Sequence, residues 1–278
     1  MSEKRIAIVT GSSSGIGFET SLMLARHGII TYATMRDLQK SSTLKSIADK
    51  ENIPLRCIQL DVTNDISVKQ AVETIENESD QIDVLVNNAG YGLSGAFEDL
   101  LIDEIKLQFD TNFFGLIRAT QAVLPIMRKQ RSGIIVNMSS GLGRFGIAIS
   151  SAYVSSKFAM EGLTESLSYE LEPFGIRTVL IEPGIIKTNF IKAAILAQKS
   201  TDPNSPYFQF MNNLEEGMKK LIESGERPEY VAKVVLDAIN DSNPKLRYLA
   251  GKDVEQIMEI KNRVSDEDFH SMIKNMSS

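Results

Sequence analysis

The sequence predicts an α/β fold: a doubly wound parallel sheet of about seven strands with helices on both faces, in a single domain spanning 1–278. Three observations predict it. Short runs rich in Val and Ile alternate with longer stretches of helical character. The first six runs are continuously apolar, as strands covered on both faces are. A glycine-rich turn follows the first run and opens the first helix.

The elements follow in order. Strand-like runs fall at 5–10 (RIAIVT), 29–35 (IITYATM), 54–62 (PLRCIQLDV), 82–89 (IDVLVNNA), 133–140 (GIIVNMSS), 176–183 (IRTVLIEP) and 246–251 (LRYLAG). Helical stretches lie near 16–27, 40–50, 65–78, 103–130, 152–172 and 228–240. Strand–helix alternation implies right-handed crossovers between parallel strands. Residues 188–227 are irregular, with helical fragments around a Pro/Asn/Ser-rich break at 202–206. So long an insertion in a compact domain is expected to be functional, here a mobile apolar lid over a hydrophobic substrate. Tyr207, Phe208, Phe210, Met211 and Met218 would supply its greasy face, or pack it to the core. Residues 252–278 read as a C-terminal tail.

Bulk properties narrow the function. Lys and Arg number 30 against 36 Asp and Glu, a net charge of -6, which argues against a nucleic-acid partner. No run of about 18 apolar residues exists, so no membrane span is expected. The start of the chain lacks a signal-peptide pattern, and the one cysteine, Cys57, cannot form an internal disulfide. Both suit a cytoplasmic protein. His27 and His270 have no ligand-spaced partners, so no metal site is expected.

The turn VTGSSSGIG places Gly11, Gly15 and Gly17 between the first strand and the first helix. Gly11 would let the chain turn sharply, and Gly17 would let the helix approach the sheet. The helix N-terminus then offers unpaired N–H groups to a diphosphate, with Ser13, Ser14 and Ile16 beside them. Cofactor choice is read at the end of the second strand. There an acidic residue would accept from a ribose 2′-OH, and an arginine would pair with a 2′-phosphate. The residues are Met35 and Arg36, so NADP(H) is preferred, with NAD(H) possible. Ser13 would add a hydroxyl to the same phosphate. Asp37 is either a ribose contact or the cap of the next helix.

Thr10-Gly11-x-x-x-Gly15-x-Gly17, Asn87-Asn88-Ala89-Gly90, Asn112, Ser140, Tyr153-x-x-x-Lys157 and Pro183-Gly184 occur in order. In this order and spacing the chain resembles the short-chain dehydrogenases/reductases over about 4–190. The stretches YATMRDLQ, SSKFAMEGL and EPGIIKTNF look most like the hydroxysteroid- and retinol-dehydrogenase-like branch. The resemblance implies a nicotinamide-dependent oxidoreductase acting on a carbonyl or alcohol, and Arg36 points it to NADP(H). It implies Asp61 and Val62 at the adenine, and Asn88, Ala89 and Gly90 along the cofactor behind the sheet-supporting Asn87. Pro183, Gly184, Ile186 and Thr188 would meet the nicotinamide amide. Ser140, thirteen residues before the tyrosine, is chosen over Ser139 as the catalytic serine. Asn112 would bend the long helix and hold a water leading to Lys157. Helices 103–130 and 152–172 are long enough to pair with copies of themselves, and family members often form homodimers or homotetramers.

The chemistry explains the Tyr153–Lys157 spacing. Positions i and i+4 share a helix face. A free tyrosine ionises near 10, about three units too high for proton transfer near neutral pH. An ammonium about 5 Å away at an effective dielectric of about 20 favours the phenolate by roughly 3 kcal/mol. Lys157 is therefore expected to lower Tyr153 and to hold the nicotinamide ribose, while Ser140 donates to the substrate oxygen. Two other readings fit less well. A catalytically silent NADP(H)-binding regulator would have little reason to keep all four residues. A sugar-nucleotide epimerase would space its glycines Gly-x-x-Gly-x-x-Gly.

Overall fold

The structure, a computed structural model, describes residues 4–188 and 195–276, with backbone only for 214–221. Its strands in chain order are β1 (Ile6–Val9), β2 (Ile30–Met35), β3 (Leu55–Gln59), β4 (Val84–Asn87), the two-residue β5 (Leu93–Ser94), β6 (Gly133–Met138), β7 (Ile176–Pro183), the two-residue β8 (Ile195–Leu196) and β9 (Arg247–Ala250). Seven of them form one sheet in the order β3-β2-β1-β4-β6-β7-β9, parallel throughout. The helices are α1 (Gly15–Arg26), α2 (Ser42–Glu51), α3 (Asp65–Ser79), α4 (Ile102–Phe109), α5 (Gly115–Gln130), α6 (Ser151–Leu171), α7 (Phe208–Ser224), α8 (Pro228–Asn240), α9 (Lys252–Lys261) and α10 (Asp266–Met276).

The continuous apolar runs have the expected cause. On β1, Ala7 and Val9 pack with Leu24 of α1 and with Val231 and Val235 of α8 on one face. Ile6 and Ile8 pack with Val72 and Ile75 of α3 and Val123 and Met127 of α5 on the other. Burying each large side chain of this kind stabilises the fold by roughly 1.5–3 kcal/mol. All seven predicted strands are present, but several end early. Thr10, Asn88 and Ser140 lie just beyond β1, β4 and β6. The sheet stops where the chain turns into the candidate site.

Three segments differ from expectation. The stretch 103–130 is two helices separated by a π turn at Asp110–Phe114. Asn112 lies in that turn, and its amide pairs both backbone groups of Tyr91, accepting from N–H at 3.0 Å and donating to C=O at 2.9 Å. Such side-chain demands accompany an extra residue in a helical turn. The region 188–227 contains β8 before the Pro/Asn/Ser break and, where helical fragments were expected after it, the single helix α7. The tail 252–278 holds α9 and α10. Among the described residues no helix is long and apolar enough to cross a membrane.

These last helices reach back to the ends of β6 and β7. Val254 and Met258 of α9 and Phe269 of α10 enclose Phe145 in the loop after β6, with the two phenylalanine rings edge to face at 5.6 Å. Asp253, in the first turn of α9, accepts from Ile185 N–H at 2.7 Å. Its carboxylate fills the space where a side chain at Gly184 would stand, so a side chain there would displace this brace. Asp253→Ala should lower the unfolding free energy in urea by about 1–3 kcal/mol, the cost of stranding a shielded N–H. Asp253→Asn, which keeps an acceptor, should recover most of it. An alanine variant as stable as the parent would remove the brace.

Candidate active site

Parallel strands end at one edge, so the loops after β1, β3, β4, β6 and β7 converge there. The strand order reverses between β1 and β4, which opens a crevice at that edge.

Within the glycine turn, Thr10 Oγ1 accepts from the N–H groups of Asn88 and Ala89, each at 3.0 Å. The Asn88 side chain donates back to the carbonyls of Thr10 and Gly11, at 2.9 and 3.2 Å. Gly11 takes φ +69°, a left-handed value that glycine adopts freely. A Cβ on Gly17 would lie 2.5 Å from the Gly11 carbonyl oxygen. The approach that Gly17 permits is thus to the turn and Asn88, not to the sheet, and Asn88 spends its amide N–H groups on the turn. The three serines differ. Ser12 is buried and donates to Val9 C=O, while Ser13 is half-buried and Ser14 is exposed at the N-cap of α1. Ile16 packs partly into the core.

At the end of β2, Arg36 is exposed and Met35 is buried with Leu22, Ala33 and Leu44. Asp37 accepts from Gln39 N–H at 3.0 Å, so it caps the following turn. Asp61 accepts from the N–H and hydroxyl of Thr63, and Val62 is buried with Leu60 and Val68. Gly90 is exposed and close to the Asn112 amide, and Ala89 lies against Gly11. Pro183 ends β7 in the interior. Ile186 buries its side chain in the core, leaving only its backbone to serve a ligand. Thr188 faces Gly15 across the crevice, within van der Waals reach of any Cβ placed there. The turn and the α1 N-terminus fit the diphosphate of an elongated dinucleotide. Among the described residues no group of three or more His, Cys, Asp or Glu side chains could hold a metal ion.

Ser140, Tyr153 and Lys157 come together beside the crevice. Ser140 Oγ accepts from Leu142 N–H at 3.1 Å, which leaves its proton for the Tyr153 phenol oxygen, its second partner. Lys157 is 6% exposed, and its ammonium donates to Met138 C=O at 2.6 Å while lying 5.6 Å from the Tyr153 ring centre. The electrostatics correct the sequence expectation. Burial penalises the phenolate and pushes Tyr153 up to about 12, with the Ser140 hydrogen bond opposing it. Burial also brings Lys157 down to about 8, against an opposing pull from Glu161. The ammonium is aimed at a carbonyl, so in this arrangement it does not offset the desolvation of its neighbour.

Asn87 supports the sheet, as the resemblance implied, through partners that sequence reasoning passed over. Asn87 donates to Asn137 Oδ1 and Thr120 Oγ1, and Asn137 donates to Thr164 Oγ1, a buried polar ladder from β4 through β6 to α6. The lone Asn inside GIIVNM was its available signal. The expected lid is anchored on the loop after β4. β8 pairs with β5, Ser205 donates to Asp99 at 2.7 Å, and the Tyr207 hydroxyl donates to Glu98 at 3.2 Å. Met211 is buried, whereas Phe208 and Phe210 are only partly so. Residues 189–194 and the Met218 side chain lie outside the described residues.

Comparison with known proteins agrees with this geometry. A family model described as short chain dehydrogenase matches residues 5–199. The chain is 39% identical over 255 residues to a 3-ketodihydrosphingosine reductase of Bacteroides thetaiotaomicron, covering 90% of this chain and 88% of that protein. It is 40% identical over 253 residues to human retinol dehydrogenase 8, covering 87% and 80%. A short-chain dehydrogenase from Streptomyces avermitilis superposes with a TM-score of 0.82 at 28% identity, covering 99% of both chains. The chain therefore belongs to the short-chain dehydrogenase/reductase family and carries that family's oxidoreductase fold.

Proposed function

We propose that the protein is an NADP(H)-dependent oxidoreductase that interconverts a carbonyl and an alcohol on a hydrophobic substrate. The observation that carries this reading is the Ser140–Tyr153 hydroxyl pair with buried Lys157 one turn along α6, beside the glycine-turn crevice. Exposed Arg36 supports the phosphorylated cofactor, since Asp37 is occupied as a cap. Two relatives named for a sphingoid ketone and for retinol support an apolar substrate. Met211 in the anchored lid agrees with them.

The cofactor would lie along the glycine turn, with Ser13, Ser14 and Arg36 at its phosphates and Asp61 and Val62 toward its adenine. The 88–90 and 183–188 segments would line its far side. When bound, it supplies or accepts the hydride. This chain's residues handle the proton. Tyr153 is fully protonated at neutral pH, so its hydroxyl is the proton donor for the forming alkoxide in carbonyl reduction. Ser140 would donate to the substrate oxygen and stabilise its developing charge. Lys157 would hold the nicotinamide ribose with its ammonium, and Asn112 shapes the π turn beside them. Exposed Ile102 and Leu107 on α4, Phe114 beside α5, and Phe158 and Tyr169 on α6 support self-association into a homodimer or homotetramer.

A panel of carbonyls with NADPH and NADH tests the reading. Tyr153→Phe should cut turnover at least about a hundredfold with little change in NADPH affinity. Near-parent turnover would sink the proton-donor role. Arg36→Ala should weaken NADPH far more than NADH, because only NADPH carries the phosphate. Equal losses would make Arg36 structural.

The pH dependence follows from Lys157. Its ammonium persists below about 8 and is lost above it, so kcat/KM should fall with one proton as pH rises past that value. Stability should move oppositely. An unfolded lysine ionises near 10.4, so between about 8 and 10.4 the unfolded chain binds more protons and folding strengthens as pH rises. Parallel loss of activity and of folding would exclude Lys157 as the source.

A further inference from the structure

Behind Lys157 lies a cluster of charges that the proposed reaction does not itself use. Glu161 is 5% exposed and sits one turn beyond Lys157 on α6. Its Oε1 accepts from Ser139 Oγ at 2.5 Å, and its Oε2 accepts from Arg247 Nε of β9 at 2.9 Å. Glu182 of β7, 1% exposed, accepts from Arg144 at 3.1 Å and lies 3.5 Å from Arg247. Arg247 also donates to Glu165 at 2.7 Å. The groups around Glu161 are therefore Lys157 and Glu165 on α6, Ser139 after β6, Arg144 in the next loop, Glu182 on β7 and Arg247 on β9. Three cations face three carboxylates.

The grip on β6 is regular. Tyr153, Lys157 and Glu161 follow at one-turn intervals on one face of α6. Their partners are three consecutive residues: Ser140, Met138 and Ser139 respectively. Ser139 is also held from the sheet side, donating its N–H to Ile181 C=O at 2.8 Å. Without Glu161 the middle residue of the three would lose its side-chain anchor. The ammonium beside it would lose its nearest carboxylate on the helix.

We propose that Glu161 is a positioning residue for the reaction: it fixes the strand end that carries Ser140 through Ser139, and it sets a carboxylate one helical turn from the Lys157 ammonium. The inference rests on the reading of Ser140, Tyr153 and Lys157 as the reacting set. Arg247 and Arg144 offset the cost of burying the carboxylates, so the cluster is electrically closed except toward Lys157.

The test separates the two actions. Lysine side chains are labelled with carbon-13, and the Lys157 signal is assigned by its loss in Lys157→Met. It is then titrated by NMR without cofactor or substrate. In Glu161→Gln the Lys157 midpoint should fall by about one pH unit, and the alkaline limb of kcat/KM should move with it. Glu161→Asp should restore most of the shift. Ser139→Ala keeps the carboxylate; it should leave the midpoint in place and lower kcat about tenfold. An unmoved midpoint in Glu161→Gln overturns the charge effect, and parent kcat in Ser139→Ala overturns the brace. Should the glutamine variant fail to fold, Glu161→Met, neutral and of similar volume, reads the charge effect in its place, and Ser139→Ala still decides the brace. Parent-like turnover in Tyr153→Phe would instead overturn the underlying reading, and the Lys157 titration would remain interpretable.

Discussion

Lys157 holds a positive charge that water barely reaches, and much of the surrounding structure answers to that fact. Burial weakens its hold on the proton, and a carboxylate one turn away opposes that loss. That carboxylate is itself buried and needs Arg247, which arrives only because β9 pairs with β7 at the sheet edge. A single ammonium thus ties the central helix to the last strand of the sheet. Its one described hydrogen bond is to the Met138 carbonyl, which fixes it relative to β6.

The same low-dielectric setting acts on Tyr153 in the opposite sense. It raises the phenol instead of lowering it, so proximity on a helix face was not sufficient to predict the ionisation. The Coulomb argument gave a reasonable size for a facing pair, but the lysine spends its donor on a carbonyl. Desolvation then dominates, opposed by the Ser140 hydrogen bond. The phenol is left protonated, which matches a proton donor.

Much of the fold was legible because buried parallel strands impose a one-dimensional signature. Val9, Val86 and Val179 each sit in a run with no polar alternation, and each is fully buried. The glycine turn and the Tyr153–Lys157 pair were legible for a similar reason: their geometry depends on residues close in sequence. What escaped depends on distant residues. Nothing near Asp253 announces that it will meet Ile185, and nothing near Arg247 announces Glu161. The bend at Asn112 was implied by the resemblance, but its form as a π turn was hidden because the apolar period runs through it and its partner, Tyr91, lies 21 positions away. Met35 looked like a cofactor-edge residue by position, yet its side chain points into the packing between β2 and α2.

The reach of α9 back to the turn after β7 sets an order in time. A growing chain can assemble β1 to β4, and with them the glycine turn, long before residue 253 exists. The turn at 184–185 must then wait, because its N–H partner lies 68 positions further on. Contacts of such separation form slowly, since loop closure costs entropy before the contact repays it. A nascent chain would therefore present a nucleotide cradle with one wall unfinished. That wall of the crevice would close only in the completed polypeptide.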